Sequence, residues 1–263
     1  MEQNINQLIR NEYAGFLKEL DSKYPYFQGN NFSNVFVTGV LDDWEDSINK
    51  ILIVGLDAAW GEKEKYASRD EEISKMQQWV IKYLHDQIKE SKYGFKKDQG
   101  YFWKRFRNIV NNLPKEKVAF AYCNLDIINN AIGNKKGNGL AKRDRKNLHN
   151  TKIKIVKSVI NIIKPTVVLF CGWSSMEESY KQQLPEEVYK KFYTDFENCK
   201  IGDNKLYKSE HNGVCYILSF HPRYTYQTKM KEYENQLIEV IRSQIKKTNK
   251  EVKSENNKLK DHL

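Results

Sequence analysis

Four short apolar runs constrain this chain more than any other feature: Ile51–Leu56 (ILIVGL), Val118–Cys123 (VAFAYC), Thr166–Cys171 (TVVLFC) and Val214–Phe220 (VCYILSF). Each is too short for a stable helix, is apolar at consecutive positions and is closed by a turn-forming or polar residue. That is the pattern of a strand buried on both faces. The segments between them carry helical periodicity over 71–92, 101–113 (ended by Pro114), 152–163 (stopped before Pro165), 175–196 (broken at Pro185) and 228–247. Strands alternating with helices predict a three-layer α/β/α fold around a central, mostly parallel four-stranded sheet. In such sheets ligands sit where loops leave the carboxyl ends of the strands, which groups Asp57, Asn124, Gly172-Trp173 and His221 as one candidate cluster.

Length and composition bound the remaining choices. The 263 residues hold no internal repeat and no Pro/Ser-rich linker. We therefore expect an α/β domain over 51–247, an N-terminal helical extension over 1–50 packed on it, and a polar tail over 248–263. No apolar stretch approaches the roughly 18 residues of a membrane span, and the N-terminus lacks a secretory pattern, so a cytoplasmic, monomeric protein with no membrane partner is expected. The four cysteines, at 123, 171, 199 and 215, form no C-x-x-C pair, which argues against a disulfide scaffold and a metal centre. No cofactor is expected. The 44 Lys+Arg against 34 Asp+Glu give a net charge of +10, compatible with nucleic acid, another anionic surface or solubility alone.

The residues at the strand ends narrow this. Strand one runs into Gly55-Leu56-Asp57-Ala58-Ala59-Trp60-Gly61-Glu62, strand two into Asn124-Leu125-Asp126, strand three into Gly172-Trp173 and strand four into His221-Pro222-Arg223-Tyr224. Taken in this order the motifs resemble the uracil-DNA glycosylase superfamily, over about Ile51 to Lys247. The resemblance implies a DNA glycosylase that flips a nucleotide from the duplex and hydrolyses its N-glycosidic bond, leaving an abasic site. On that resemblance Asp57 positions water and stabilises the sugar cation. His221 donates a hydrogen bond to the departing base, and Asn124 reads the base edge. Gly55, Leu56, Ala58, Ala59, Trp60 and Gly172 fall at pocket positions, and Tyr101 or Phe102 at the place of an aromatic stacked on the base. Each catalytic assignment has a plainer reading: Asp57 as a turn or cap residue, His221 as a hydrogen-bonded turn histidine, Asn124 as a loop cap.

Departures from the family pattern matter as much. The uracil-specific branch follows its Asp with Pro-Tyr, whose tyrosine excludes a C5 substituent; here Ala58 and Ala59 stand there. An open wall implies a C5-modified pyrimidine, hydroxymethylated or bulkier, such as occurs in some phage genomes; Trp60 rebuilding the wall is the alternative. After Pro222 the wedge position holds Arg223, Tyr224, Thr225 and Tyr226, so Arg223 is expected on a phosphate and Tyr224 or Tyr226 in the gap left by the base, or else both tyrosines pack on the last helix. Glu62 and Asp126 are reserve carboxylates. The loop 133–146 (GNKKGNGLAKRDRK) carries six basic residues and one acid, and Lys135, Lys136, Arg143 and Arg145 suit a phosphate backbone, although a solvated loop has the same composition. It lacks P-loop spacing. A catalytically silent module binding nucleic acid or a protein, and an enzyme of free nucleotides, are the competing functions.

Overall fold

A computed structural model describes residues 4–24, 34–57, 66–91, 100–114, 118–126, 128, 155–172, 184–202, 206–227 and 230–260. Strands β1 (Gly39–Val40), β2 (Asn49–Asp57), β3 (Val118–Asp126), β4 (Val167–Cys171), β5 (Tyr207–His211) and β6 (Val214–Ser219) form one sheet in the order β1-β3-β2-β4-β6-β5. The inner strands β3-β2-β4-β6 are mutually parallel. The edges β1 and β5 pair antiparallel with β3 and β6. The chain is therefore α/β with a six-stranded mixed sheet, and the expectation of four strands is corrected. The two extra strands carry no apolar run: β1 has two residues, and β5 (YKSEH) is polar at every position after Tyr207. A local signal for β5 was nevertheless present in Asn212-Gly213. Both residues have positive φ, 48° and 76°, as a two-residue hairpin turn requires.

The helices are α1 (Ile5–Lys23), α2 (Arg69–Ser91), α3 (Tyr101–Asn112), α4 (155–163), α5 (Glu186–Thr194), α6 (Phe196–Cys199), α7 (Pro222–Gln227) and α8 (Lys231–Lys260). The Asn4 side chain accepts from the Asn6 N–H at the start of α1, and Pro114 lies just past the end of α3. The last helix runs on to Lys260, through most of the segment expected as a polar tail. Its Lys- and Glu-rich sequence propagates a helix already anchored by packing, and Asn49 donates to the Asn249 side chain at 3.0 Å. Near the other terminus, Tyr13 of α1, Val35–Val37 and Trp44 join the same core as the inner strands, and the Trp44 indole donates to the Ile163 carbonyl at 2.8 Å.

From β2 the chain crosses to β3 on one side, then returns past β2 to β4 on the other. Right-handed crossovers in opposite directions place α2 and α3 on one face and α4 on the other. The reversal falls between β2 and β4, and in sheets of this kind ligands bind beyond the carboxyl ends of the strands at such a point. Among the described residues no helix is long and apolar enough to cross a membrane, and no cluster of His, Cys, Asp and Glu is arranged to hold a metal ion.

Candidate active site

The strand register sets which residues share the carboxyl ends of the parallel strands. Val54 pairs with both Cys123 and Phe170, and Phe170 pairs with Leu218, so these four residues form one rung across the parallel strands. One residue further along come Asn124, Gly55, Cys171 and Ser219. Asn124 is thus still inside β3, opposite Gly55, where a position after the strand was expected; the pairing runs on to Asp57 opposite Asp126. Three strand spacings, about 14 Å in all, separate the backbones of β3 and β6, enough for a base ring and a side chain at either side. Beyond β4, Gly172 has φ 143°, a conformation that favours glycine, and its N–H donates to the Ser219 carbonyl at 2.9 Å.

Asn124 is 1% exposed. Its Oδ1 accepts from the Tyr122 hydroxyl at 2.6 Å, while its Nδ2 has no hydrogen-bond partner among the described residues. A buried amide N–H without an acceptor costs roughly 1–3 kcal/mol, so this donor calls for an acceptor, which a ligand atom or an ordered water can supply. Tyr122 fixes which end of the amide is left over. Burial pushes its phenol well above the ordinary range, so it keeps the proton that it donates to Asn124 Oδ1. Phe102 and Trp103, at the start of α3, lie on the Tyr122 ring with centroids 4.8 Å and 5.2 Å away. Gly55 is required by close approach: a Cβ there would stand 2.5 Å from Asn124 Oδ1 and 3.2 Å from the Tyr122 oxygen.

His221 follows β6 and immediately precedes Pro222, the first residue of α7, a position proline suits because its missing N–H is not needed there. The Arg223 N–H donates to His221 Nδ1 at 3.2 Å. In the neutral ring the proton is then on Nε2, which makes that atom the donor. Beneath this loop lies a buried cation. Arg105 donates to Glu234 through Nε and Nη2, the shortest contact 2.5 Å, to Ser219 Oγ at 3.0 Å, to the Phe220 carbonyl at 2.6 Å and to Thr225 Oγ1 at 3.0 Å. Tyr233 completes the hold by accepting from the Phe220 N–H at 2.8 Å. The histidine loop is gripped on both flanks.

No protein-family model matches the chain, and no curated protein is significantly similar to it. The geometry stands on its own.

The structure thus brings together Gly55, Asn124 and, through Tyr122, Phe102; it carries Gly172 and His221 on neighbouring strand ends. Tyr101 is set apart from the Tyr122 group, stacked on Tyr226 at 6.1 Å. Tyr226 is half-buried, its phenol pushed up to about 12 by burial, whereas Tyr224 is 49% exposed and Arg223 is also exposed. The two tyrosines therefore differ: Tyr226 packs toward α3, and Tyr224 faces solvent with Phe220 at 5.0 Å. Leu56, Asp57 and Asp126 have their backbone in strands, but their side chains lie outside the described residues. So do Ala58, Ala59, Trp60, Glu62, Lys135, Lys136, Arg143 and Arg145 altogether. Sequence reasoning missed Tyr122 and the Arg105 network. Arg105 did leave a trace, because it shares an i, i+3, i+4 face with Phe102, Phe106 and Ile109, an odd place for a charge. Glu234, 129 residues away, left none.

Proposed function

We propose that this chain is a DNA glycosylase that flips a modified pyrimidine from the strand and hydrolyses its N-glycosidic bond. The observation that carries the reading is the buried, unpartnered Asn124 Nδ2 at the carboxyl end of a parallel sheet, opposite Gly55. Hydrogen bonding to Tyr122 leaves this atom as a donor for a base-edge acceptor such as a pyrimidine carbonyl. The four inner strands β3-β2-β4-β6 are parallel, in keeping with the mostly parallel four-stranded sheet that the uracil-DNA glycosylase resemblance implies. This supports a uracil-DNA glycosylase-like core within the larger sheet.

In this mechanism the C1′–N bond breaks with its electron pair moving to the base. His221 Nε2–H hydrogen-bonds the anionic base, an electrostatic contribution of the oxyanion-hole kind. Asp57 stabilises the positive sugar and orients the water that adds to C1′, and the water's proton leaves to the carboxylate or to solvent. Ala58 and Ala59 in place of a bulky wall favour a base enlarged at C5, so hydroxymethylated or glucosylated cytosine leads the candidate substrates.

An excision screen tests this. Single- and double-stranded oligonucleotides carrying uracil, thymine, 5-hydroxymethyl and glucosylated pyrimidines or hypoxanthine are incubated with protein, then cleaved by alkali at abasic sites. At least one is expected to be cut by the wild type and none by Asp57→Asn. Full activity in Asp57→Asn would move the carboxylate role to Glu62 or Asp126; no cutting of any substrate would leave a binding module.

A further inference from the structure

The buried amide of Asn124 has one end engaged and the other open. Residues two apart in a strand share a face, so Tyr122 and Asn124 of β3 project to the same side. Oδ1 accepts from the Tyr122 hydroxyl at 2.6 Å, and it lies so close to Gly55 that a Cβ there would stand 2.5 Å away. Nδ2 has no partner among the described residues. The amide is held in this sense. Oδ1 is the acceptor of the Tyr122 proton, and turning the amide over would set an N–H donor against that proton and strand Oδ1 in the interior. Tyr122 is fixed in its turn, with its ring against Phe102 at 4.8 Å, Phe36 at 5.0 Å and Trp103 at 5.2 Å.

A base edge that meets this residue therefore finds N–H donors and no acceptor. Pyrimidine Watson–Crick edges differ at that point. In cytosine and its C5 derivatives N3 carries a lone pair beside the O2 carbonyl, so both groups accept. In uracil, thymine and their derivatives N3 carries a proton between two carbonyls. An amide with both ends free serves the second kind, donating to a carbonyl and accepting from N3–H. With Oδ1 engaged, that N3–H is left unpaired. We propose that Tyr122 is a positioning residue that makes Asn124 a donor-only reader, selecting a pyrimidine whose N3 accepts, the cytosine type, against one whose N3 is protonated, the uracil and thymine type. The proposal rests on the glycosylase reading above and deepens it. The C5 argument from Ala58 and Ala59 does not separate the two types of ring; the amide does.

Oligonucleotide pairs matched at C5 test it: 5-hydroxymethylcytosine against 5-hydroxymethyluracil, and the glucosylated form of each. A donor left unpaired in a buried site corresponds to roughly 5- to 150-fold, so single-turnover excision by the wild type is expected to favour the cytosine member by that factor. Tyr122→Phe keeps the packed ring and removes the hydroxyl, so Asn124 regains its acceptor. The ratio is then expected to fall toward one, with the uracil member gaining; a loss of stability alone would slow both members and leave the ratio where it was. Excision at equal rates, or faster on the uracil member, overturns the proposal and leaves the glycosylase reading standing. So does an unchanged ratio in a folded Tyr122→Phe; if that variant does not fold, the wild-type ratio decides. If nothing is excised, the matched deoxynucleosides are titrated by calorimetry. A cytosine preference that Tyr122→Phe removes keeps the edge reading and sinks the glycosylase. No binding, or equal binding of both, sinks the two together and leaves the amide to an ordered water.

Discussion

At the residue scale the decisive contact is the one between Gly55 and Asn124. A methyl group at position 55 would fall 2.5 Å from Asn124 Oδ1 and 3.2 Å from the Tyr122 oxygen. Neither group can simply step aside, because they hydrogen-bond one another and the Tyr122 ring is packed under Phe102 and Trp103. Overpacking of this kind costs about 1–3 kcal/mol, and a displacement near 1 Å of a reading group can cost about 100-fold in rate. Gly55→Ala is therefore expected to fold, to melt a few degrees lower, and to lose the proposed excision out of proportion to its stability. Paired melting and single-turnover measurements check this; wild-type turnover in Gly55→Ala would mean that Asn124 does not read the substrate.

At the element scale the histidine loop is held by α3 and α8 rather than by its own sequence. Arg105 and Glu234 form a buried ion pair whose remaining hydrogen bonds reach both sides of His221. Removing one partner leaves an uncompensated buried charge, which costs about 3–5 kcal/mol. Arg105→Ala is thus expected to unfold readily in urea. Thr225→Val, which deletes the hydroxyl that donates to Glu234 at 2.5 Å, costs about 1–3 kcal/mol. If Thr225→Val also slows the proposed excision while leaving substrate affinity intact, the clamp positions His221; equal loss in both would assign it to stability alone. This division explains what was legible beforehand. The four parallel strands were readable because burial on both faces writes a continuous apolar run into the sequence. β1, β5 and the Arg105–Glu234 pair were not, because an edge strand needs only half of that pattern and a long-range ion pair needs none. The same reason placed Asn124 one step too late: a strand paired on both sides in sequence terms looks finished once polar residues begin, but β3 keeps pairing with β2 through Asp126.

At the scale of the whole molecule, the buried thiols set a limit on alkaline stability. Cys123, Cys171, Cys199 and Cys215 are all buried and free. Burial pushes the Cys123 thiol up to about 11 and the Cys215 thiol up to about 12, from an ordinary value near 9. Above pH 9 the unfolded chain releases these protons while the folded chain keeps them. The unfolded state then binds fewer protons, and stability falls as pH rises toward the folded values, by up to about 1.4 kcal/mol per pH unit for each group. A counter-effect exists: approaching the isoelectric point of about 9.2 relieves repulsion from the +10 charge. That repulsion is spread over the surface and screened within about 8 Å at 0.15 M salt, whereas the thiols sit in the core and escape screening. The thiol effect therefore wins. Urea midpoints under reducing conditions are expected to hold from pH 7 to 9 and then drop steeply by pH 10.5. Cys215→Ala is expected to start lower, from the small cavity it leaves, but to decline less over the same interval. An alkaline slope identical in wild type and Cys215→Ala would show that this thiol is not the group that titrates.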